Sequence, residues 1–205
     1  MSNADWTGNK NSIFKTLGAS NHTDKERETN DYYATSRDAI DALVKAGVKF
    51  PNPIWECSAG ECHLSNPLKE YGYTVYSTDL IQRGIPLDDT LDFLATTEMY
   101  KDSQCILSNP PYKTALSFIE HGLDILHNGQ EIWMFLKIQF LEGKARRKLF
   151  DTKQLKCVYI SSSRILCAKN ADFDGMRAGG GSAVAYAWFV WEKGYNGDAV
   201  IKWIN

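Results

Sequence analysis

Residues 53–62 read P-I-W-E-C-S-A-G-E-C, in which a short β-prone run gives way to a turn of small residues. We predict a strand over Pro53–Cys57 and a turn over Ser58–Gly60. A helical segment to about Glu70 and a second strand over Thr74–Ser77 follow. Strands that alternate with helices in this way form a parallel sheet that helices cover on both faces.

The same alternation continues towards the C-terminus. Further strands are predicted over 105–107, 132–138, 157–161, 184–191 and 199–203, and helices over 36–47, 114–127 and 142–150. Only the loop Ser162–Ser182 separates two of the β-prone runs, which favours a closing antiparallel strand. The expected fold class is therefore α/β, with a mostly parallel sheet and an antiparallel strand near the C-terminus.

The composition indicates one domain with a substantial core, because the chain has 205 residues of which 43% are hydrophobic. Residues 1–30 are polar and lack periodicity, so we predict a mobile arm there and a single domain over 31–205. The net charge of −2 argues against nonspecific coating of nucleic acid. With no apolar run of membrane-spanning length and no recognisable signal peptide, the protein is expected to be cytoplasmic.

The five cysteines are scattered and odd in number, which predicts reduced, buried thiols and no disulfide framework. Cys57, Cys62 and His63 lie close together in the sequence, but their spacing fits no common zinc pattern. No metal is therefore expected, and a reducing compartment suits the thiols.

The segments that follow the predicted strands are the candidate sites, because ligands bind beyond the carboxyl ends of the strands in an open parallel sheet. The most specific of these segments is S-N-P-P-Y at 108–112. Two consecutive prolines fix both φ angles and hold Asn109 and Tyr112 in a rigid turn. An amide with an acceptor oxygen, a free proline carbonyl and an aromatic face form a receptor for a flat group that carries an NH2. An incidental surface turn is the alternative interpretation.

This N-P-P-Y segment resembles the signature of S-adenosylmethionine-dependent DNA N6-adenine methyltransferases of the phage and bacterial type. The resemblance implies a Rossmann-like methyltransferase fold with a seven-stranded sheet, and DNA as the partner. It also implies that Asn109 and Pro110 accept hydrogen bonds from the target amine, with Pro111 completing the rigid turn. Tyr112 would stack on the base at the mouth of a cleft, where it would make few core contacts.

The resemblance extends upstream and implies S-adenosylmethionine as the cofactor. E-C-S-A-G-E-C at 56–62 resembles the family's turn beside the methionine portion of the cofactor, and D-Y-Y-A-T at 31–35 resembles an element that closes over it. Asp79 would bind the ribose hydroxyls, and Asp92 and Phe93 would meet the adenine ring. The implied cofactor residues are Tyr33, Thr35, Ser58, Ala59, Gly60, Asp79, Asp92, Phe93 and Asn109. Ser36, Glu56, Cys57 and Cys62 depart from the family's pattern, and the Cys62 side chain is expected to lower the cofactor affinity.

The sequence indicates least about how the target is recognised. Residues 63–107 are too few for a separate recognition domain, so a partner subunit is one expected source of sequence recognition. The segment 137–156 has seven basic residues against two acidic ones, which indicates phosphate contact, although a solvated helix face explains it equally well. The candidate nucleic-acid contacts are Lys144, Arg146, Arg147 and Lys148.

Three alternatives remain open. The same turn serves methyltransferases that act on RNA adenine or on a protein glutamine amide. A regulatory homologue that binds the cofactor weakly is the third, and the departures at Ser36 and Cys62 motivate it.

Overall fold

The computed structural model describes residues 33–169, 171–178, 181–182 and 184–204. The predicted mobile arm at 1–30 lies outside the described residues. None of the described helices is both long and apolar enough to cross a membrane.

The described chain alternates strands and helices, as the sequence predicts. The strands are β1 Tyr33–Thr35, β2 Ile54–Glu56, β3 Val75–Asp79, β4 Asp89–Thr90, β5 Cys105–Ser108, β6 Glu131–Lys137, β7 Leu155–Ser161, β8 Cys167–Lys169, β9 Tyr186–Glu192 and β10 Val200–Ile204. The α-helices are α1 Asp38–Lys45, α2 Ser65–Glu70, α3 Ala115–Ile125, α4 Arg147–Asp151 and α5 Phe173–Ala178, and short 3-10 helices cover Phe93–Ala95, Ile138–Leu141 and Lys144–Arg146.

One mostly parallel sheet organises the fold, with the strand order β10-β7-β9-β6-β5-β2-β3-β4. β9 runs antiparallel to both of its neighbours, and the other pairings of this sheet are parallel. The expected α/β class and the antiparallel strand near the C-terminus are confirmed. The described sheet has eight strands where seven were expected. The two-residue strand β4 is exposed and polar, so apolar periodicity cannot reveal it.

The core forms two layers because residues along each central strand point alternately to the two faces of the sheet. In β6, Ile132, Met134 and Leu136 pack in one cluster, and Trp133 and Phe135 pack in the other. Helix α3 covers the first cluster with Phe118, Ile119 and Leu123, and α1 covers the second with Ala39, Ile40 and Leu43. Both faces of the sheet are therefore covered, which is why β6 is an unbroken apolar run.

A second, two-stranded sheet was not predicted. It pairs β1 with β8 in antiparallel register, so that Thr35 lies opposite Cys167. The backbone N–H of Ser36 continues this contact by donating to the carbonyl of Leu166 at 2.9 Å. This pairing brings the start of the described chain to the edge where the parallel strands end, and there it forms one wall of the candidate site.

Candidate functional site

A cavity of about 420 Å³ lies beyond the carboxyl ends of β2, β3 and β5. Its lining includes every residue that the sequence analysis assigned to the cofactor or to the amine receptor except Gly60, namely Tyr33, Thr35, Ser58, Ala59, Asp79, Asp92, Phe93, Asn109, Pro110, Pro111 and Tyr112. Gly60 does not line the cavity, but its backbone N–H donates to the Asp79 carboxylate at 2.8 Å. The segments that follow different strands thus meet at one place, as expected for a parallel sheet.

Asn109 is held in one orientation by the chain that passes over it. Its Nδ2 donates to the backbone carbonyl of Tyr33 at 3.2 Å and to Thr35 Oγ1 at 2.9 Å. Because a carbonyl only accepts hydrogen bonds, the NH2 group of the Asn109 amide must face β1. The nitrogen and the oxygen of the amide are thereby distinguished. The other end, Oδ1, is buried and accepts no hydrogen bond from the described residues. An unsatisfied buried acceptor is costly, and its presence indicates a place for a donor.

The prolines carry the chain from β5 into helix α3. The Pro111 carbonyl accepts from the backbone N–H of Thr114 at 3.0 Å, which closes the turn just before α3 begins. The rigid turn that the sequence predicts is therefore built as expected, with Asn109 at one end and Tyr112 at the other.

Tyr112 is packed more closely than its predicted position at a cleft mouth implies. Its hydroxyl donates to the Tyr186 hydroxyl at 3.0 Å, and its ring lies 5.4 Å from the Tyr33 ring. The Lys137 ammonium lies 4.6 Å from the centre of the Tyr112 ring. Burial raises the pKa of Tyr112 well above its usual range, so the phenol stays neutral. The expectation of few core contacts at Tyr112 is therefore wrong.

Asp79, the last residue of β3, is 7% exposed and already accepts several hydrogen bonds. Its Oδ2 accepts from Gly60, and its Oδ1 accepts from the backbone N–H of Ile81 at 2.9 Å and from Arg83 at 3.1 Å. A carboxylate offers about four acceptor positions. Two ribose hydroxyls would therefore share the carboxylate with Arg83 or displace it. The sequence analysis did not single out Arg83, although it lies four residues after Asp79.

Glu56, the last residue of β2, is a buried carboxyl that also lines the cavity. It accepts a short hydrogen bond from Ser65, whose hydroxyl also lies 2.6 Å from the Ser77 hydroxyl. Burial raises the pKa of Glu56 to about 8, because an ionised carboxylate would be poorly solvated there. Glu56 is therefore mostly protonated at neutral pH and ties β2 to α2 and β3 as a neutral group.

Asp92 and Phe93 have different surroundings. Asp92 is exposed and caps a 3-10 turn by accepting from the backbone N–H of Leu94 at 3.0 Å. Phe93 is 2% exposed, and its ring packs against Phe118 and Trp55 at 4.9 Å and 5.2 Å. Phe93 thus forms part of the cavity floor, and the half-exposed Leu94 beside it offers more apolar surface to a ligand.

The turn between β2 and α2 has an unusual backbone conformation at two residues. Gly60 has a φ of 55° and Cys62 a φ of 61°, both in the left-handed region. A side chain is strained in this region and glycine is not. A glycine at position 62 would suit this backbone, and the buried Cys62 side chain does not line the cavity.

The predicted basic contacts do not line the cavity, and two of them are engaged in their own loop. Arg146 donates to the carbonyls of Gln139 and Glu142, and Arg147 pairs with Asp151 at 2.7 Å. Lys144 and Lys148 are exposed and form no ion pair with a described residue. Among the described residues, no group of three or more His, Cys, Asp and Glu side chains could hold a metal ion.

Several residues that the sequence analysis did not assign to a site also line the cavity. His63, Leu80, Ile81 and Arg83 follow β2 or β3 and contact the same cavity. Burial lowers the pKa of His63, which favours its neutral form. Their only sequence signal is their position just after a strand, which they share with many residues that have no role in a site.

No protein-family model and no curated protein matches this chain. Solved structures resemble it at low identity. A candidate class I S-adenosylmethionine-dependent methyltransferase from Listeria monocytogenes has a TM-score of 0.53 at 14% identity, over 95% of this chain and 71% of the other. A candidate hemolysin from Lactococcus lactis has a TM-score of 0.53 at 13% identity, over 80% of this chain and 92% of the other.

A third likeness is to a chain in a structure of a type I R-M system, with a TM-score of 0.54 at 12% identity. The match covers 95% of this chain and 48% of the other, so this chain spans about half of that protein. The strand order, the antiparallel β9 and these likenesses agree. The chain adopts the Rossmann-like methyltransferase fold.

Proposed function

We propose that this protein transfers a methyl group from S-adenosylmethionine to the exocyclic N6 amine of adenine in DNA, in the cytoplasm. One observation carries the proposal: Asn109 Oδ1 is a buried acceptor without a partner among the described residues. It belongs to a rigid turn that borders a cavity of ligand size. An NH2 group would satisfy this acceptor, whereas an acceptor-only ligand would not.

The residues around the cavity fit S-adenosylmethionine. The small residues of the turn at Ser58–Gly60 leave room beside the backbone for the methionine portion. The Asp79 carboxylate still has an acceptor position for a ribose hydroxyl. Leu94 offers apolar surface to the adenine. When bound, this cofactor supplies an electrophilic methyl group on a sulfonium. The chemistry needs no metal, and the protein's contribution is to position the amine in line with the methyl group.

The amine needs help because its lone pair is delocalised into the purine ring. Asn109 Oδ1 and the Pro110 carbonyl would accept its two N–H bonds and favour a pyramidal nitrogen, with the lone pair directed at the methyl group. In the transfer the amine would gain the methyl group of the bound cofactor, whose sulfur would leave with the bonding electron pair, and the amine would lose one proton to solvent. The backbone of Tyr33 and the Thr35 hydroxyl hold the Asn109 amide in the orientation that this step needs.

Duplex DNA would have to present the adenine outside the helix. Flipping a base costs a few kcal/mol, and stacking on Tyr112 would offset part of that cost. Exposed Lys144 and Lys148 could approach phosphates, and a partner subunit would supply sequence recognition. The likeness to a chain of a type I R-M system agrees with a DNA substrate.

A methylation assay tests the proposal directly. Tritiated S-adenosylmethionine is incubated with the protein and with unmethylated genomic DNA, total RNA or a protein extract. We expect label in the DNA, as N6-methyladenine after nuclease digestion. Label in RNA or protein only would show that the enzyme class is right and the substrate wrong.

A regulatory homologue with weak cofactor binding is the second candidate, and the Asp79–Arg83 ion pair favours it. If Arg83 keeps Asp79 occupied, the cofactor binds poorly. Calorimetric titration with S-adenosylmethionine separates the two candidates, because an enzyme should bind it with a micromolar dissociation constant. For an enzyme, Asp79→Ala should weaken binding by about 1.5–3 kcal/mol, the range for a hydrogen bond to a charged group.

A further inference from the structure

Lys137 stands apart from the other basic residues of segment 137–156. It is the last residue of β6, the strand next to β5. In this pair Ser108 lies opposite Met134, so Lys137 lies three residues further towards the edge where Asn109 begins the N-P-P-Y turn. The register of the sheet therefore places Lys137 beside the proposed amine receptor.

The contacts of Lys137 are unusual for a half-buried cation. Its ammonium lies 4.6 Å from the centre of the Tyr112 ring, and no carboxylate of the described residues forms an ion pair with it. Lys156, at the start of β7 in the same segment, is bound instead by Glu131 and Glu192 at 2.8 Å and 2.6 Å. Among the described residues, the aromatic face of Tyr112 is the partner that Lys137 contacts, and its attraction is weaker than that of a carboxylate.

The position suggests which anion would complete the site. A base that stacks on Tyr112 with its amine at Asn109 has its sugar and phosphate at its other end, outside the amine receptor. Every nucleotide of a strand carries such a phosphate, whereas a glutamine side chain carries no anion. An ammonium on the Tyr112 ring can leave the ring to meet a phosphate, because an ion pair is stronger than a cation–π contact.

We propose that Lys137 binds a backbone phosphate next to the target nucleotide, and that the substrate of this site is therefore a nucleic-acid strand and not a protein amide. The inference rests on the proposed function, since it uses Asn109 and Tyr112 as the base receptor. It adds a substrate-binding residue and a reason for the substrate class.

Salt dependence of binding tests the inference on the full chain. Fluorescence anisotropy measures the affinity for a labelled 20-base-pair duplex that contains adenine, between 50 and 200 mM salt. The logarithm of the binding constant falls as the logarithm of the salt concentration rises, and each lost phosphate contact makes this negative slope shallower by about 0.9. Over this fourfold salt range, Lys137→Met should therefore lose about 3.5-fold less affinity than the wild type. Methionine keeps the apolar stem on Tyr112 and removes only the charge.

Two controls separate a phosphate contact from general effects. Lys137→Arg keeps the charge and should keep the wild-type slope. Lys49→Gln removes one charge from an exposed residue that lines a different pocket, together with Glu131 at the start of β6. This variant should also leave the slope unchanged. The melting temperature and the affinity for S-adenosylmethionine are measured for each variant, and neither should change for Lys137→Met.

The outcomes distinguish this inference from the proposed function. A wild-type slope in Lys137→Met, or an equal loss of slope in Lys49→Gln, overturns the phosphate contact even if the enzyme methylates DNA. Salt-dependent binding to an RNA strand but not to DNA overturns the DNA assignment. If the wild type does not bind S-adenosylmethionine, the proposed function fails, whatever the slopes are.

Discussion

At the scale of single residues, Asn109 has two separable roles. Its Nδ2 anchors β1 and its Oδ1 is the acceptor that we propose for the target amine, so Asn109→Ala should abolish methyl transfer and leave cofactor affinity within a few-fold. Thr35→Val is the matched control, because it removes the hydroxyl that accepts from Nδ2 and leaves Oδ1 in place. The control should cost about 1 kcal/mol of unfolding free energy and keep most of the activity, because the Tyr33 carbonyl still accepts from Nδ2 and holds the amide. Single-turnover methylation and calorimetry measure both, and an active Asn109→Ala enzyme would refute the receptor.

Tyr112 has observed packing contacts and a proposed contact with the substrate base. Tyr112→Phe loses the hydrogen bond to Tyr186, which should cost about 1 kcal/mol of stability and little activity. Tyr112→Ala loses the stacking face, so substrate affinity or turnover should fall about ten- to a hundredfold. Because the ring contacts Tyr33 and Lys137, the alanine variant should also lose at least about 2 kcal/mol of stability.

Denaturation curves together with activity per folded molecule separate the two roles of Tyr112. If the folded fraction of Tyr112→Ala is fully active, the tyrosine is a packing residue only.

At the scale of secondary-structure elements, Glu56 makes the junction of β2, α2 and β3 sensitive to pH. Its pKa is raised to about 8 in the folded state, so the folded protein holds a proton that the unfolded chain releases at a lower pH. Stability should therefore fall as pH rises from about 4.5 to about 8, by up to about 1.4 kcal/mol per pH unit, and level off above that. Glu56→Gln keeps an oxygen for Ser65 and cannot titrate.

Urea denaturation of the wild type and Glu56→Gln at pH 5, 6.5 and 8 measures this effect. The difference in unfolding free energy between the two proteins should shift in favour of the glutamine variant as pH rises. A difference that is constant across this range would show that Glu56 is ionised in the folded state.

At the scale of the whole molecule, residues 31–205 should form an independent folding unit. The described sheet, its helices and all the proposed cofactor residues lie within 33–204. A protein that begins at residue 31 should therefore unfold cooperatively, with a melting temperature within about 4 °C of the full chain, and bind S-adenosylmethionine equally well. Calorimetric scans and titrations of both proteins provide the comparison. A non-cooperative transition would show that residues 1–30 contribute to the core.

The sequence alone determined the class of the fold and the positions of the main site segments. Asn109, Asp79 and Ser58 each follow a strand whose apolar run is visible locally, and the carboxyl ends of parallel strands meet at one edge. No long-range information is needed for that step. The prolines also determine their own turn, because the restriction they impose on φ is local.

Only the tertiary structure decided which groups meet within the site. The pairing of β1 with β8 brings Tyr33 and Thr35 to Asn109 across 76 and 74 residues, and three-residue strands carry no pattern that reveals such a pairing. The ion pair of Arg83 with Asp79 and the position of Lys137 on Tyr112 likewise depend on side chains meeting in space. Side-chain partners are chosen by three-dimensional packing, and a linear motif does not encode them.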